Sequence, residues 1–179
     1  MTSDLEPPAR HSRTAPRSDR EGRDHLLCPL SACAEELGGI RALLESAGLP
    51  TRDLESARPE FAVVRENGQV VAAGALQRFG SSALVRSVVV AEDRRGSGLG
   101  RMIVWRLERL ARAAQITELI LLTQIASGFF TRQGYRAIKR TSAPEDMQAS
   151  EVFRSLCASS ATCLVKSLPY SAKSEACCV

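Results

Sequence analysis

No apolar run in this chain approaches the roughly 18 residues that a membrane span requires. The first 25 residues contain no apolar stretch of the kind that directs secretion, and their many acids argue against an organellar transit peptide. A cytoplasmic chain is the expectation. Aromatic residues are only 4% of the sequence and basic residues form no block, so neither a nucleic-acid surface nor a membrane surface has much to be built from. The net charge of +4 is mild, and the N-terminal stretch adds nothing to it: Arg10, Arg13, Arg17, Arg20 and Arg23 balance Asp4, Glu6, Asp19, Glu21 and Asp24. The two histidines both lie in that stretch, and no two cysteines are spaced Cys-x-x-Cys. A metal site is therefore not expected. In a cytoplasmic chain, cysteines such as Cys157 and Cys163 are expected as reduced thiols, packed as small hydrophobes.

What remains is enough for one α/β domain. Residues 1–25 are rich in Arg, Ser, Pro and acid; they bury too little to offset the entropy of ordering and read as a disordered tail. Residues 26–168 carry the regular patterns, and 169–179 form a short polar C-terminal tail. "HLLCPL" reads as a short first strand. Leu37, Ile40, Leu43, Leu44 and Ala47 recur at helical spacing before Gly48 and Pro50 stop the helix. "TRDLESA" adds a turn of helix. "EFAVVRE" and "QVVAAGALQRF" flank Asn67-Gly68, the signature of a tight type I′ hairpin. "ALVRSVVVA" is a third strand of that group, apolar on both faces except at Arg86 and Ser87, which alternation places on opposite faces. A helix follows with Leu99, Ile103, Leu107, Leu110 and Ala114 on one face, leaving Trp105 outside the stripe and partly exposed. Trp105 is open to a partner, such as a second copy in a homodimer, or to a neighbouring loop. Then come the strand "TELILLT", the short helix "IASGFFTRQG", the strand "YRAIKR", a helical stretch after Pro144 and a closing strand, "SATCLVKSL". This order describes a single mixed, mostly antiparallel sheet of six to seven strands flanked by helices.

Between the strand at 83–91 and the long helix stands "RRGSGLG", with Gly96, Gly98 and Gly100 alternating. The first amides of a helix have no internal partners, and the helix dipole adds about half a positive charge there. Glycines keep side chains out of the way, and Arg94, Arg95 and Arg101 supply cations at the rim. The stretch reads as a cradle for a pyrophosphate. It lacks the Gly-Lys-Ser/Thr of a P-loop, and no acid ends a second strand as a dinucleotide fold requires.

The pattern Arg95-x-x-Gly98-x-Gly100 resembles the pyrophosphate loop of the GCN5-related N-acetyltransferases, Gln/Arg-x-x-Gly-x-Gly/Ala. "VVVAEDRRGSGLGRMIVWRLERLA" is similar to that family's fourth strand and third helix, and "IASGFFTRQGY" to its fourth helix and following turn. Within the family, "ALVRSVVV", "LLTQIASGFFTRQGY" and "VFRSLCASSATCLVKSL" resemble the arsenic-resistance N-acetyltransferases. The resemblance implies an acetyl-CoA-dependent enzyme that acetylates a small amine carrying an anionic group, an amino-acid-like arsenical or phosphinic compound. It implies that acetyl-CoA lies in a V-shaped opening between the fourth and fifth strands. The backbone of Val88 and Val90 would meet the pantetheine arm, and the amides of Gly96, Ser97, Gly98, Leu99, Gly100 and Arg101, with Arg95, the pyrophosphate.

The remaining roles stay open. Arg86 reads either as an oxyanion anchor or as half of a structural ion pair, and Ser87 as a hydrogen-bond donor to substrate or backbone. Thr123, where relatives carry an Asn that contacts CoA, either touches the cofactor or caps its strand. Phe130, which the resemblance places among the cofactor-contacting residues, occupies the position of a tyrosine that relatives use to protonate the leaving thiolate, and it has no proton to give. Tyr135 and Glu92 are the weak candidates for proton transfer, with Glu60 behind them. Cys177 and Cys178 read either as a soft thiolate pair for trivalent arsenic or as an idle terminus. A peptide- or polyamine-directed transferase and a non-catalytic CoA sensor are the competing functions.

Overall fold

The computed structural model describes residues 34–169. The expected first strand, both tails and four of the cysteines (Cys28, Cys33, Cys177 and Cys178) lie outside them. Helix α1 (Ala34–Ser46) ends at Gly48, whose φ of +67° lets the Gly48 and Leu49 amides turn back to the Glu45 and Leu44 carbonyls. A short α2 (Leu54–Ala57) follows. Strands β1 (Glu60–Glu66) and β2 (Gln69–Phe79) form the hairpin, closed by Asn67 and Gly68 at φ of +52° and +79°, as a type I′ turn demands. The rest are β3 (Ser82–Val90), α3 (Leu99–Ala113), β4 (Glu118–Thr123), α4 (Ser127–Thr131), β5 (Arg136–Ile138), α5 (Glu145–Gln148) and β6 (Thr162–Ser167). The helix expected after Pro144 is broken into α5 and a separate turn over 152–156.

The described strands form one sheet ordered β1-β2-β3-β4-β6-β5, with only the β3–β4 pair parallel. Helix α3 covers one face, where Ile103, Val104, Leu107 and Ala111 meet Ala72, Leu76, Ala83 and Val85. Leu110 and Ala114, expected on the same stripe, only flank this cluster. On the other face, Ile40 and Leu44 of α1 pack on Phe61, Val63, Ala73, Ala75 and Val89.

Gly74 of β2 sits where α3 comes closest. A Cβ there would stand 2.5 Å from the Ile103 side chain and 3.0 Å from Leu107. Both atoms belong to fully buried side chains, so neither can step aside cheaply. Gly74→Ala is expected to lower unfolding stability by about 1–3 kcal/mol, the range of overpacked cores. Urea melts of both proteins check this.

Candidate active site

Strands β3 and β4 part company. They pair from Ser82↔Glu118 to Leu84↔Ile120 and no further, although β3 stays bonded to β2 as far as Val90 and β4 to β6 as far as Thr123. A continued register would have set Ser87 against Thr123. Instead a V-shaped gap opens, and the backbone edge of β3 beyond Leu84, including Val88 and Val90, is unpaired on the side of β4.

The same strand carries a β-bulge. Ala73 pairs with Val89 and Ala75 with Arg86, so two steps on β2 span three on β3, and Ser87 takes φ of +56°. Upstream, Ala83 and Val85 face α3; downstream, Val88 and Val90 do. The bulge interrupts the alternation of β3 at Ser87, so the side chains beyond it no longer follow the order set upstream. Arg86 and Ser87 both line one small pocket of about 90 Å³ with Leu122, Val152, Leu156 and Cys157. Burial pushes the Cys157 thiol up from its ordinary value, which keeps it protonated and uncharged at neutral pH.

At the far end of β3 lies the glycine loop. Gly96 and Gly98 adopt φ of +80° and +87°, and a Cβ on either would meet no atom within 4 Å. Gly98 is the N-cap of α3, and no side chain caps the helix. Among the described residues, the amides of Gly96, Gly98, Leu99, Gly100 and Arg101 donate to no backbone carbonyl. Ser97 differs: its amide and hydroxyl both turn to the Arg94 carbonyl. Arg95 and Arg101 make no ion pair among the described residues, whereas Arg94, expected as a rim cation, is held by Glu66 at 2.8 Å and Asp93 at 2.6 Å. Free amides, open space and two free cations fit a pyrophosphate.

The proton-transfer candidates fare differently. Tyr135 is 2% exposed, and its hydroxyl is buried without a partner. Its ring packs edge-on to Phe130, with the Lys166 ammonium 5.5 Å from its centre. Burial, with the negative charge of Glu108 added, pushes the Tyr135 hydroxyl far above its ordinary 10.0. It is a core group. Because it stays protonated in the fold while the unfolded chain ionises at 10.0, folding stability falls as pH rises beyond that value. Tyr135→Phe is therefore expected to keep turnover within about tenfold of the parent, below the range of an acid–base group. It should also resist alkaline unfolding better than the parent, as circular dichroism at increasing pH would show.

Phe130 is itself buried in the α3 core; the aromatic beside the loop is Phe129, whose ring edge would lie 3.4 Å from a Cβ on Gly100. Glu92 is exposed and starts a 3₁₀ turn, and Glu60 pairs with Arg78 at 2.6 Å. The Thr123 hydroxyl accepts from the Ala126 amide at 3.0 Å, so it caps the turn into α4. Trp105 is half-exposed as expected, with the Arg109 guanidinium stacked 4.9 Å from its ring centre.

Residues 30–135 match the acetyltransferase (GNAT) family. The chain belongs to that family. An uncharacterized N-acetyltransferase of Chlorobaculum tepidum is 33% identical over 87 residues, covering 48% of this chain and 56% of that one. The chain thus spans about half the length of this curated relative. The GNAT fold recurs in Rv2747 of Mycobacterium tuberculosis, solved with CoA and NLQ: TM-score 0.65, 24% identity, 77% of this chain and 97% of that one. N-acetylglutamate synthase of Neisseria gonorrhoeae, solved with CoA and N-acetyl-glutamate, superposes with TM-score 0.66 at 21% identity over 77% of this chain and 34% of that one. Among the described residues of this GNAT chain, no helix is long and apolar enough to cross a membrane.

One site residue escaped the sequence reading. Asp53, just before α2, is 2% exposed and grips Arg86 with both oxygens: Nη1 donates to Oδ2 at 2.5 Å and Nη2 to Oδ1 at 2.6 Å. Arg86 is thus half of an ion pair, one of the two readings its sequence position left open, and Asp53 occupies its end fork. A lone Asp in "TRDLESA" gives no sign of this, because its partner is 33 residues away.

Proposed function

We propose that this chain is an acetyl-CoA-dependent N-acetyltransferase for a small amine with an oxyanion tail, an amino-acid-like arsenical or phosphinic compound, and that it serves arsenic resistance. The observation that carries the reading is the unpaired edge of β3, which runs from the glycine loop to the Arg86 pocket. The free amides of Gly96, Gly98, Leu99, Gly100 and Arg101, with the Arg95 and Arg101 side chains, hold the pyrophosphate. The backbone at Val88 and Val90 pairs with the pantetheine arm, and an amide of this edge stabilises the developing oxyanion. The pocket has room for a small acceptor and, in Arg86, one cation; the resemblance to the arsenic-resistance branch supports the oxyanion. That two neighbours were solved with CoA, one of them also with an N-acetylated amino acid, is in keeping with such an acceptor.

The acceptor nitrogen must lose a proton before it attacks the thioester. Among the described residues no carboxylate other than Asp53 approaches the pocket, and Asp53 is engaged, so water takes this proton. Phe130 has no proton for the leaving thiolate and Tyr135 is enclosed, so water supplies that one too.

Release of free thiol from acetyl-CoA across a panel of amines tests the reading. Turnover should be fastest with amines bearing a carboxylate, phosphinate or arsenic oxyanion. Faster turnover of spermidine or of peptides would replace the substrate class. Tight acetyl-CoA binding without turnover of any amine would favour a sensor.

A further inference from the structure

We propose that Asp53 is a positioning residue for the acceptor, and that it works by presenting one particular edge of Arg86 to the pocket. The proposal rests on the acceptor reading given above. A guanidinium has five N–H donors and two edges that can each take a planar oxyanion in a two-pronged grip: the end edge between Nη1 and Nη2, and the side edge made by Nε and Nη2. Asp53 occupies the end edge. The second Nη1 proton goes to the Gln77 side-chain oxygen at 3.1 Å, from the neighbouring strand β2. Three of the five donors are thereby used. The two that remain, Nε–H and the second Nη2–H, are the parallel pair of the side edge.

Nε is buried and without a partner, on a side chain only 6% exposed that lines the pocket. An orphaned buried donor is costly, and an acceptor brought to the side edge of Arg86 would relieve that cost. The arrangement also sets the charge. Asp53 cancels the formal charge of Arg86, so the pocket holds an oxyanion by two aimed hydrogen bonds and not by a bare cation. An amine without an oxyanion finds nothing to satisfy those donors, and the described residues of the pocket offer no free carboxylate to the amine itself. Preference for the acceptor therefore follows from the direction of the side edge, which the fork of Asp53 and the oxygen of Gln77 fix.

Two measurements test this, with 2-amino-4-phosphonobutyrate as the oxyanion-bearing probe and butylamine as a probe without one. In the wild-type protein, arginine-selective nitrogen-proton spectra should show the Arg86 Nε–H signal moving on addition of the phosphonate and not of butylamine. Its Nη signals should stay separate, because Asp53 keeps its grip. Collapse of the Nη signals would mean that the anion displaces Asp53, which overturns the proposal. In Asp53→Glu the charge pair survives but one extra methylene moves the fork. The Michaelis constant for the phosphonate should rise about tenfold or more, the loss expected when an aimed charged hydrogen bond is spoiled. The constant for the phosphonate should rise by a larger factor than those for butylamine and acetyl-CoA, which make no use of the aimed contact. An unchanged constant for the phosphonate, with the wild-type Nε–H still responding, would remove the role of Asp53 and leave the oxyanion reading standing. If the wild-type Nε–H signal ignores the phosphonate altogether, the oxyanion reading itself fails. Should Asp53→Glu not fold, the wild-type spectra decide alone.

Discussion

Gly98→Val is expected to abolish measurable acetyl-CoA binding while leaving the domain folded. Gly98 holds φ of +87°, a left-handed conformation that a β-branched residue adopts only under strain of about 1–3 kcal/mol. Its substituent would project into open space, with no protein atom within 4 Å to clash with. The fold thus has little reason to fail. The loop, however, must either twist away or place two methyl groups in front of the free amides at the start of α3. Titration calorimetry with acetyl-CoA, alongside a thermal melt, separates these effects. Unchanged affinity in a folded variant would show that the loop is not the pyrophosphate cradle. Gly100 makes a useful contrast, because a Cβ there meets the Phe129 ring at 3.4 Å and Val90 at 3.6 Å, so its substitution probes packing as well as binding.

The largest effect on stability should come from Arg86→Ala. Arg86 and Asp53 are 6% and 2% exposed along their side chains, and removing the cation leaves a carboxylate enclosed with no compensating charge. Breaking a buried pair in this way costs about 3–5 kcal/mol. For a domain of this size that corresponds to a melting temperature lower by roughly 10 °C. Replacing both partners, Asp53→Leu with Arg86→Met, removes the stranded charge and should recover most of the loss, because apolar substitutes for a buried pair are commonly neutral or better. The comparison is read from denaturant melts of the two variants and the parent. If the single variant loses less than about 1 kcal/mol, the pair is more hydrated than its burial implies. For the same reason, loss of activity in Arg86→Ala is no measure of substrate contact by itself, and the gentler Asp53→Glu carries that question.

Local chemistry was legible in the sequence, and long-range pairing was not. The Asn67-Gly68 turn, the stop at Gly48 and the glycine loop before α3 are each written in adjacent residues, and each is found where the residues put it. The gap between β3 and β4 came only from family resemblance, since no side chain announces where a backbone ladder ends. Arg86 was conspicuous as a charge in an apolar strand, but its partner was hidden in an unremarkable turn. The buried Glu108 was hidden too: it sits among charged neighbours on α3 and pairs with Lys166, 58 residues on. Alternation failed at Ser87 because it assumes an uninterrupted pleat, and nothing in "VRSVVV" marks the interruption.

That interruption has a simple meaning as a count. If Ser87 is struck out, Val85, Val88 and Val90 fall into one regular alternation and Val89 into the other, which are the faces the packing assigns to them. The core therefore asks for a strand one residue shorter than the chain supplies. Gly74, across the sheet from the surplus residue, is the position where β2 gives up a side chain to let α3 close over the fault. The molecule is thus out of phase with its own packing pattern by a single residue, at the level where its two parallel strands separate. Everything from Val88 to the glycine loop is set one step along the strand from where a regular sheet would have put it.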